Sequence, residues 1–149
     1  MLIEVRVKTK RIIEEKAKKK LEIYVVDKEF FSEAEYAVTQ LLEEEQASHL
    51  IEEYEIQSLK MSSIKELEHP EDGEQTFIAT LRDIWLEEDG SEKSLRYKVL
   101  LWADNLTQAN ERAHELARQG YDMQIEGIQE VEYKYLNQED NAVGETTAE

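Results

Sequence analysis

The chain contains one pattern twice, and this duplication restricts its possible folds more than any other feature of the sequence. Tyr24–Glu44 and Val99–Gln119 each begin with an apolar strand end, pass an acidic residue and then a hydroxyl, and continue with alanines at helical spacing. The apolar residues of both segments recur at the intervals that bury one face of a helix. The sequence therefore predicts two halves with the same local structure.

The residues that would begin each helix can be named. Ser32 is a suitable N-cap, Glu35 completes a capping box, and Phe31 with Tyr36 occupy the positions of a hydrophobic staple. Thr107 occupies the same place in the second half. We therefore expect helices beginning at Ser32 and Thr107.

Alternating apolar and polar residues flank both predicted helices and indicate half-buried strands. After each helix the apolar residues stand three apart, in Ile56–Leu59 and in Ile125–Ile128. A β-bulge at Ser58 and at Gly127 would explain this spacing, because a bulge inserts one extra residue into a strand.

Each half therefore reads as strand, strand, helix, strand. A helix that joins the second and third strands implies that these two run parallel, with the first strand between them and antiparallel to both. We predict an α+β fold of two tandem strand–strand–helix–strand repeats with a pseudo-twofold relation, in which mainly antiparallel sheets carry helices on one face. The pattern leaves open whether the two sheets join edge to edge or pack face to face.

This interpretation divides the chain into four parts. Residues 1–61 are the first repeat and residues 75–136 are the second. Residues 62–74 contain the only proline and five acids, and predict a mobile acidic linker. Residues 137–149 hold four acids and no base, and predict a disordered tail.

Charge is distributed unevenly along the chain. The formal net charge is −17, but residues 1–20 carry eight basic and three acidic side chains and are therefore positive. One interpretation is a contact for an anionic partner, made by the basic residues Lys16, Lys18, Lys19 and Lys20. The alternative is a solvated hairpin whose lysines discourage pairing of its edge with other strands.

Composition narrows the chemistry. The chain has no cysteine, so disulfides and thiolate sites are excluded, and no zinc-ligand spacing or glycine-rich phosphate loop occurs. Its three histidines, at positions 49, 69 and 114, show no paired spacing. No apolar run approaches the roughly 20 residues that span a bilayer. We expect a cytoplasmic protein without a cofactor, a metal or a membrane association, and we predict no catalytic residue.

Aromatic residues of the second half and the C-terminal end mark the second candidate surface. They are Trp85, Tyr97, Trp102, Tyr133 and Tyr135. Rings on an exposed sheet can stack on bases or fill a protein interface. The sequence favours a core or interface role, because the acidic body repels a phosphate backbone.

The runs YVVD…FSEAE, YEIQSLKMSSIKEL and VLLWADNLTQA resemble a family catalogued only as a domain of unknown function (4494), found in Bacteroidetes bacteria and their tailed phages. The resemblance extends from about Leu2 to Val131. It implies a phage-related context, with the host cytoplasm as the location of a phage-encoded member. It supplies no activity, ligand or catalytic residue.

The leading functional hypothesis is a non-enzymatic protein-interaction factor, such as a phage accessory protein or inhibitor, with a host or phage protein as partner. Formation of a homodimer and mimicry of DNA by the acidic surface are variants of it. The first alternative is a nucleic-acid-binding accessory protein that uses the basic hairpin 8–20. The second is an enzyme or small-ligand binder with a site between the repeats, for which Trp102 and His114 would be lining residues.

Overall fold

The computed structural model describes residues 1–120 and 122–137 of the chain. These residues form two compact units. Unit 1 consists of Met1–Ser62 together with the segment that begins at Tyr133, and unit 2 is Ser63–Glu132. No helix within the described residues is both long enough and apolar enough to cross a membrane.

Eight strands and two helices make up the described chain. In chain order they are β1 (Leu2–Ile13), β2 (Lys16–Asp27), α1 (Phe31–Ala47), β3 (Ile51–Met61), β4 (Ile64–Glu68), β5 (Gln75–Leu86), β6 (Glu92–Ala103), α2 (Leu106–Ala117), β7 (Met123–Val131) and β8 (Tyr133–Leu136).

Unit 1 is a four-stranded sheet with α1 on one face. The strand order is β3-β1-β2-β8, in which β1 is antiparallel to both neighbours and β8 is parallel to β2. Ile3, Val5 and Val7 alternate with polar residues along β1, and all three are fully buried in the core against α1. The sequence alternation therefore becomes one buried face of the sheet, as a period of two residues requires.

Unit 2 repeats this architecture with the strand order β7-β5-β6-β4. The strand β5 is antiparallel to β6 and β7, and β4 is parallel to β6. Phe77 and Ala79 of β5 face the core with Leu101 of β6 and the two buried alanines of α2. The predicted α+β class and the strand–helix order of both repeats are confirmed.

The predicted bulges also occur. In unit 1 the register between β1 and β3 shifts between Arg6 and Val7, which leaves Gln57 as the extra residue. In unit 2 the register between β5 and β7 shifts between Thr80 and Leu81, which leaves Glu126 as the extra residue. Each extra residue directly precedes the predicted position, Ser58 or Gly127, so the two halves share this irregularity as well as their regular strands.

Both helices begin earlier than the sequence predicts. The N-cap of α1 is Phe30, whose backbone N–H donates to Glu33 Oε1 at 3.2 Å. The N-cap of α2 is Asn105, whose Oδ1 accepts from the N–H of Gln108 at 2.8 Å. The predicted caps, Ser32 and Thr107, therefore lie inside the first turn of each helix. The prediction was wrong because a hydroxyl at the second helical position has the same sequence context as a cap.

The predicted boundaries also differ from the structure. Within the expected linker 62–74, Ile64–Glu68 form β4, and Ile64 is buried. Gly73 then packs against the backbone of Ala103 in β6. The last strand of the predicted second repeat, β8, belongs to unit 1. The predicted tail lies outside the described residues beyond Asn137.

Candidate functional site

Exposed apolar side chains collect at the end of unit 1 where β2 finishes and α1 begins. The exposed fractions are 46% for Met1, 60% for Phe30, 45% for Phe31 and 62% for Met61. We call these four residues the apolar end. The segments meet because the carbonyl of Met1 accepts from the N–H of Lys28, and because Met61 pairs with Ile3 beside it.

Carboxylates accompany the apolar end. Asp27 ends β2, Glu29 lies on the connection and Glu33 lies in the first turn of α1, and all three are exposed. Asp27 Oδ1 lies 2.9 Å from the N-terminal amine of Met1. A cluster of exposed aromatic and methionine side chains with a charged rim has the composition of a protein-binding surface.

A second surface is the outer edge of β2. The strand β8 pairs only with Ile23–Val26 of β2. Among residues 1–120 and 122–137, no strand pairs with the outer edge of β2 before Ile23. This open stretch holds the four predicted anion contacts, Lys16, Lys18, Lys19 and Lys20, and all four are exposed. We call these lysines the basic edge.

Register divides the basic edge between the two faces of the sheet. Lys20 pairs with Thr9, which lies on the α1 side, so Lys16, Lys18 and Lys20 share that side. Lys19 pairs with Lys10 and lies on the opposite face. The basic edge therefore presents positive charge on both faces of the sheet.

A groove of about 590 Å³ adjoins the basic edge. Its basic lining residues are Lys8, Lys10, Lys19 and Lys20, and its other lining residues include Leu21 and Tyr54. Glu53 and Glu55 also line it, and they stand opposite Lys10 and Lys8 in the β1–β3 register. The positive potential of this groove is therefore concentrated on the β2 side.

The same end of unit 1 contains a buried carboxylate. The side chain of Glu22 is 5% exposed and accepts five hydrogen bonds. Its donors are Thr9 Oγ1 at 3.0 Å, Arg11 Nε at 2.6 Å, Arg11 Nη2 at 2.9 Å, the Tyr24 hydroxyl at 3.1 Å and Lys134 Nζ at 3.1 Å. Because nearly every acceptor position is filled, Glu22 joins β1, β2 and β8 and has no free capacity for a ligand.

The electrostatics follow from these contacts. Burial alone would raise the pKa of Glu22, but the hydrogen bonds from Arg11 and Lys134 outweigh it and lower the pKa to about 2. Arg11 Nη2 also donates to Glu45 Oε1 of α1 at 2.9 Å. Burial, together with the neighbouring Glu22, raises the pKa of the Tyr24 hydroxyl, so it stays protonated as a donor. The cluster fastens the sheet to α1 rather than moving protons.

Unit 2 lacks this cluster. The bulges allow the two units to be aligned. Val7 lies at the bulge of unit 1 and pairs with Glu22 of β2, whereas Leu81 lies at the bulge of unit 2 and pairs with Tyr97 of β6. Tyr97 therefore occupies the position of Glu22. By the same register Trp85 corresponds to Arg11. The hydroxyl of Tyr97 donates to Met123 Sδ at 3.3 Å. An aromatic–methionine contact therefore replaces the ionic one.

The structure separates the predicted aromatic residues. Trp102 is 6% exposed, and its carbonyl accepts from Arg112 Nη1 at 2.7 Å, so it belongs to the interior. Tyr97 is half-buried, and burial raises the pKa of its hydroxyl. Trp85 is 42% exposed and donates from Nε1 to Glu87 Oε1 at 3.3 Å. Of these three, Trp85 is the most accessible to a partner.

Tyr133 and Tyr135 lie on β8 in unit 1 and pair with Ile23 and Val25. Both are half-buried. The residue between them, Lys134, points to the opposite face and reaches Glu22. The sequence does not single out Lys134. It does not single out the apolar end either, because the position of Phe31 predicts packing within the helix start.

The three histidines do not form a site. His49 follows α1, His69 lies in the turn after β4 with Nδ1 3.8 Å from Asp72 Oδ2, and His114 is exposed on α2. Within residues 1–120 and 122–137, no group of three or more histidine or carboxylate side chains is placed to hold a metal ion.

Comparison with known proteins identifies the family of this chain. The model of the family described as "Domain of unknown function (DUF4494)" matches residues 1–136, which include every element described above. No curated protein and no solved structure matches the chain significantly. The chain therefore belongs to the DUF4494 family.

Proposed function

We propose that this chain is a non-enzymatic protein-interaction factor whose partner docks on the apolar end of unit 1. The observation that supports this is the exposure of Phe30, Phe31 and Met61, each between 45% and 62%, at one end of an otherwise well-packed unit. The resemblance to phage proteins adds an accessory or inhibitory role in a host cell to this proposal.

The rim of the apolar end specifies the partner's chemistry. Asp27 is paired with the N-terminal amine of Met1, so Glu29 and Glu33 supply the charge of the rim. The complementary surface is therefore apolar at its centre and basic at its margin. Burying the two phenylalanines would supply most of the affinity, since aromatic anchors carry most of the energy of protein interfaces.

Site-specific photocrosslinking tests this proposal. A photoreactive phenylalanine analogue at position 31 should give one discrete adduct with a partner protein in the producing cells. The same analogue at Leu86, which is 71% exposed in unit 2, should give no such adduct. The partner, once purified, should bind the F30S/F31S variant at least about 30-fold more weakly than the wild type, because two aromatic anchors are lost.

The matched control is L86S/L95S, which changes two exposed apolar residues of unit 2 and should bind as the wild type does. Equal adducts from positions 31 and 86 would argue against the apolar end. An adduct between two copies of this chain would show that the apolar end binds a second copy. That result would overturn the proposal of a different partner protein with a basic margin.

A further inference from the structure

From the basic edge we infer a second binding function: the open edge of β2 contacts the phosphodiester backbone of nucleic acid through Lys16, Lys18, Lys19 and Lys20. Residues 8–20 hold seven basic and two acidic side chains, in a chain whose net charge is −17. This surface is distinct from the apolar end, which lies where β2 finishes.

The lysines of the basic edge are available for a ligand. Within the described part of the chain, none of the four forms an ion pair, whereas the neighbouring Arg11 is held by Glu22 and Glu45. The cluster around Glu22 therefore neutralises the charge of Arg11 and fixes β1. It leaves the lysines of β2 unneutralised.

Their spacing suits a polyanion. Lys16, Lys18 and Lys20 alternate along one face of β2, so neighbouring lysines stand about 6.7 Å apart. One strand of a duplex places a phosphate about every 3.4 Å along the axis, so each lysine can meet every second phosphate. Lys19, on the other face, extends the contact toward the groove that Lys8 and Lys10 also line.

The acidic body does not prevent this contact. Charges more than a Debye length apart, about 10 Å at 0.1 M salt, are largely screened from each other. The acids that flank the edge are Glu14 and Glu15 in the turn, together with Glu53 and Glu55 in the groove. They restrict the phosphate path to the β2 side of the hairpin.

The test is fluorescence anisotropy of labelled single-stranded and double-stranded DNA with the full chain, across a range of salt concentrations. Four phosphate contacts predict a slope of log K against log salt of about −3 for single strands and about −3.6 for duplex. Duplex affinity should therefore fall about 100-fold between about 50 and 200 mM salt. Comparing the two ligands shows whether the edge prefers a single strand or a duplex.

The decisive variant is K16E/K18E/K19E/K20E, which should abolish binding. Its matched control is K60E/K65E/K93E/K98E, which makes the same change in net charge at four other exposed lysines and should bind as the wild type does at moderate salt. Thermal melting checks that both remain folded. The single variant K19A should reduce the magnitude of the slope by about 0.7 to 0.9.

Three results would overturn the inference: no binding at low salt, equal weakening by both quadruple variants, or equally tight binding of poly-glutamate of matched charge. The last result would show that the edge recognises acidic polypeptides. The F30S/F31S variant should bind DNA normally, so failure here and failure of the protein-interaction proposal are distinguishable.

Discussion

At the scale of single residues, Glu22 is the most constrained side chain in unit 1. It is buried between β1 and β2 and depends on Arg11 and Lys134 for compensation of its charge. Removing one partner of a buried ionic group leaves an uncompensated charge, which costs far more than an exposed pair is worth. Stability of unit 1 is therefore sensitive to the ionisation of this one carboxyl group.

The dependence on pH follows from the direction of the shift. The pKa of Glu22 is about 2 in the folded chain and near 4.5 when unfolded, so its stabilising contribution is complete above about pH 5 and disappears as the pH falls toward 2. The full shift corresponds to about 3 kcal/mol. We expect the free energy of unfolding at pH 6 to be larger for the wild type than for the Glu22→Gln variant. This difference should shrink steadily between pH 5 and pH 2.

Denaturant titrations at several pH values measure this difference. The Arg11→Met variant provides the control, because the carboxyl group of Glu22 then loses its main donor. The difference in free energy of unfolding between R11M and the double variant R11M/E22Q should therefore lose most of its pH dependence. An advantage of the wild type over Glu22→Gln that stays constant from about pH 6 to about pH 2.5 would contradict the assignment.

At the scale of elements, the connection between β4 and β5 shows why a turn-rich segment need not be mobile. Arg112 of α2 donates to the carbonyl of Asp72 at 2.6 Å, and the N–H of Glu74 donates to Asp104 Oδ1 at 3.2 Å. Between them Gly73 has φ of 155°. A Cβ atom at this position would lie 2.5 Å from the backbone nitrogen of Ala103. The strand β6 cannot move aside, because it is paired on both edges.

We therefore expect Gly73→Ala to destabilise the chain by about 1–3 kcal/mol, because both the backbone conformation and the contact are incompatible with a side chain. The control is Gly127→Ala, since a Cβ there meets nothing within 4 Å. Thermal melting of the two variants tests the expectation. A Gly73→Ala variant that melts with the wild type would show that this connection can move.

Much of each element was predictable from sequence, and the failures have physical causes. Alternation in β1 and the three-residue spacing before Leu59 identify the strands and the bulge because burial directly fixes both patterns. The strands β4 and β8 are too short for their sequence to show which sheet they join, since their pairing depends on which strand edges remain open. For the candidate sites, the lysines of β2 were predictable from charge alone. Exposure of Phe30 was not, because phenylalanine is among the residues most often buried and its position alone does not mark it as exposed.

At the scale of the whole molecule, the two units exchange strands through the chain. After β3 the chain leaves unit 1 and contributes β4 to unit 2, parallel to β6. After β7 it leaves unit 2 and contributes β8 to unit 1, parallel to β2. Since β2 and β6 are equivalent strands, the two exchanges are reciprocal. Each four-stranded sheet thus contains three strands of one repeat and one that follows the other repeat.

Shortening the chain tests how much unit 1 depends on this exchange. A chain that ends after Glu132 lacks β8, and with it Lys134 and the half-buried Leu136 that packs on the core of unit 1. We expect a loss of about 2–4 kcal/mol in free energy of unfolding, because apolar burial and a charge-assisted hydrogen bond disappear together. A chain that ends after Asn137 is the control. If both shortened chains unfold at the same denaturant concentration, β8 contributes nothing.

The reciprocal exchange has a consequence for chains of half this length. A single strand–strand–helix–strand copy, with the strand that follows it, has no second copy in the same chain with which to exchange that strand. Two such molecules would have to exchange their last strands, as in a domain-swapped dimer. Such a pair would fall apart on dilution, because its assembly depends on concentration. Placing both copies in one polypeptide removes that dependence, because the fourth strand of each sheet is then supplied by the same chain.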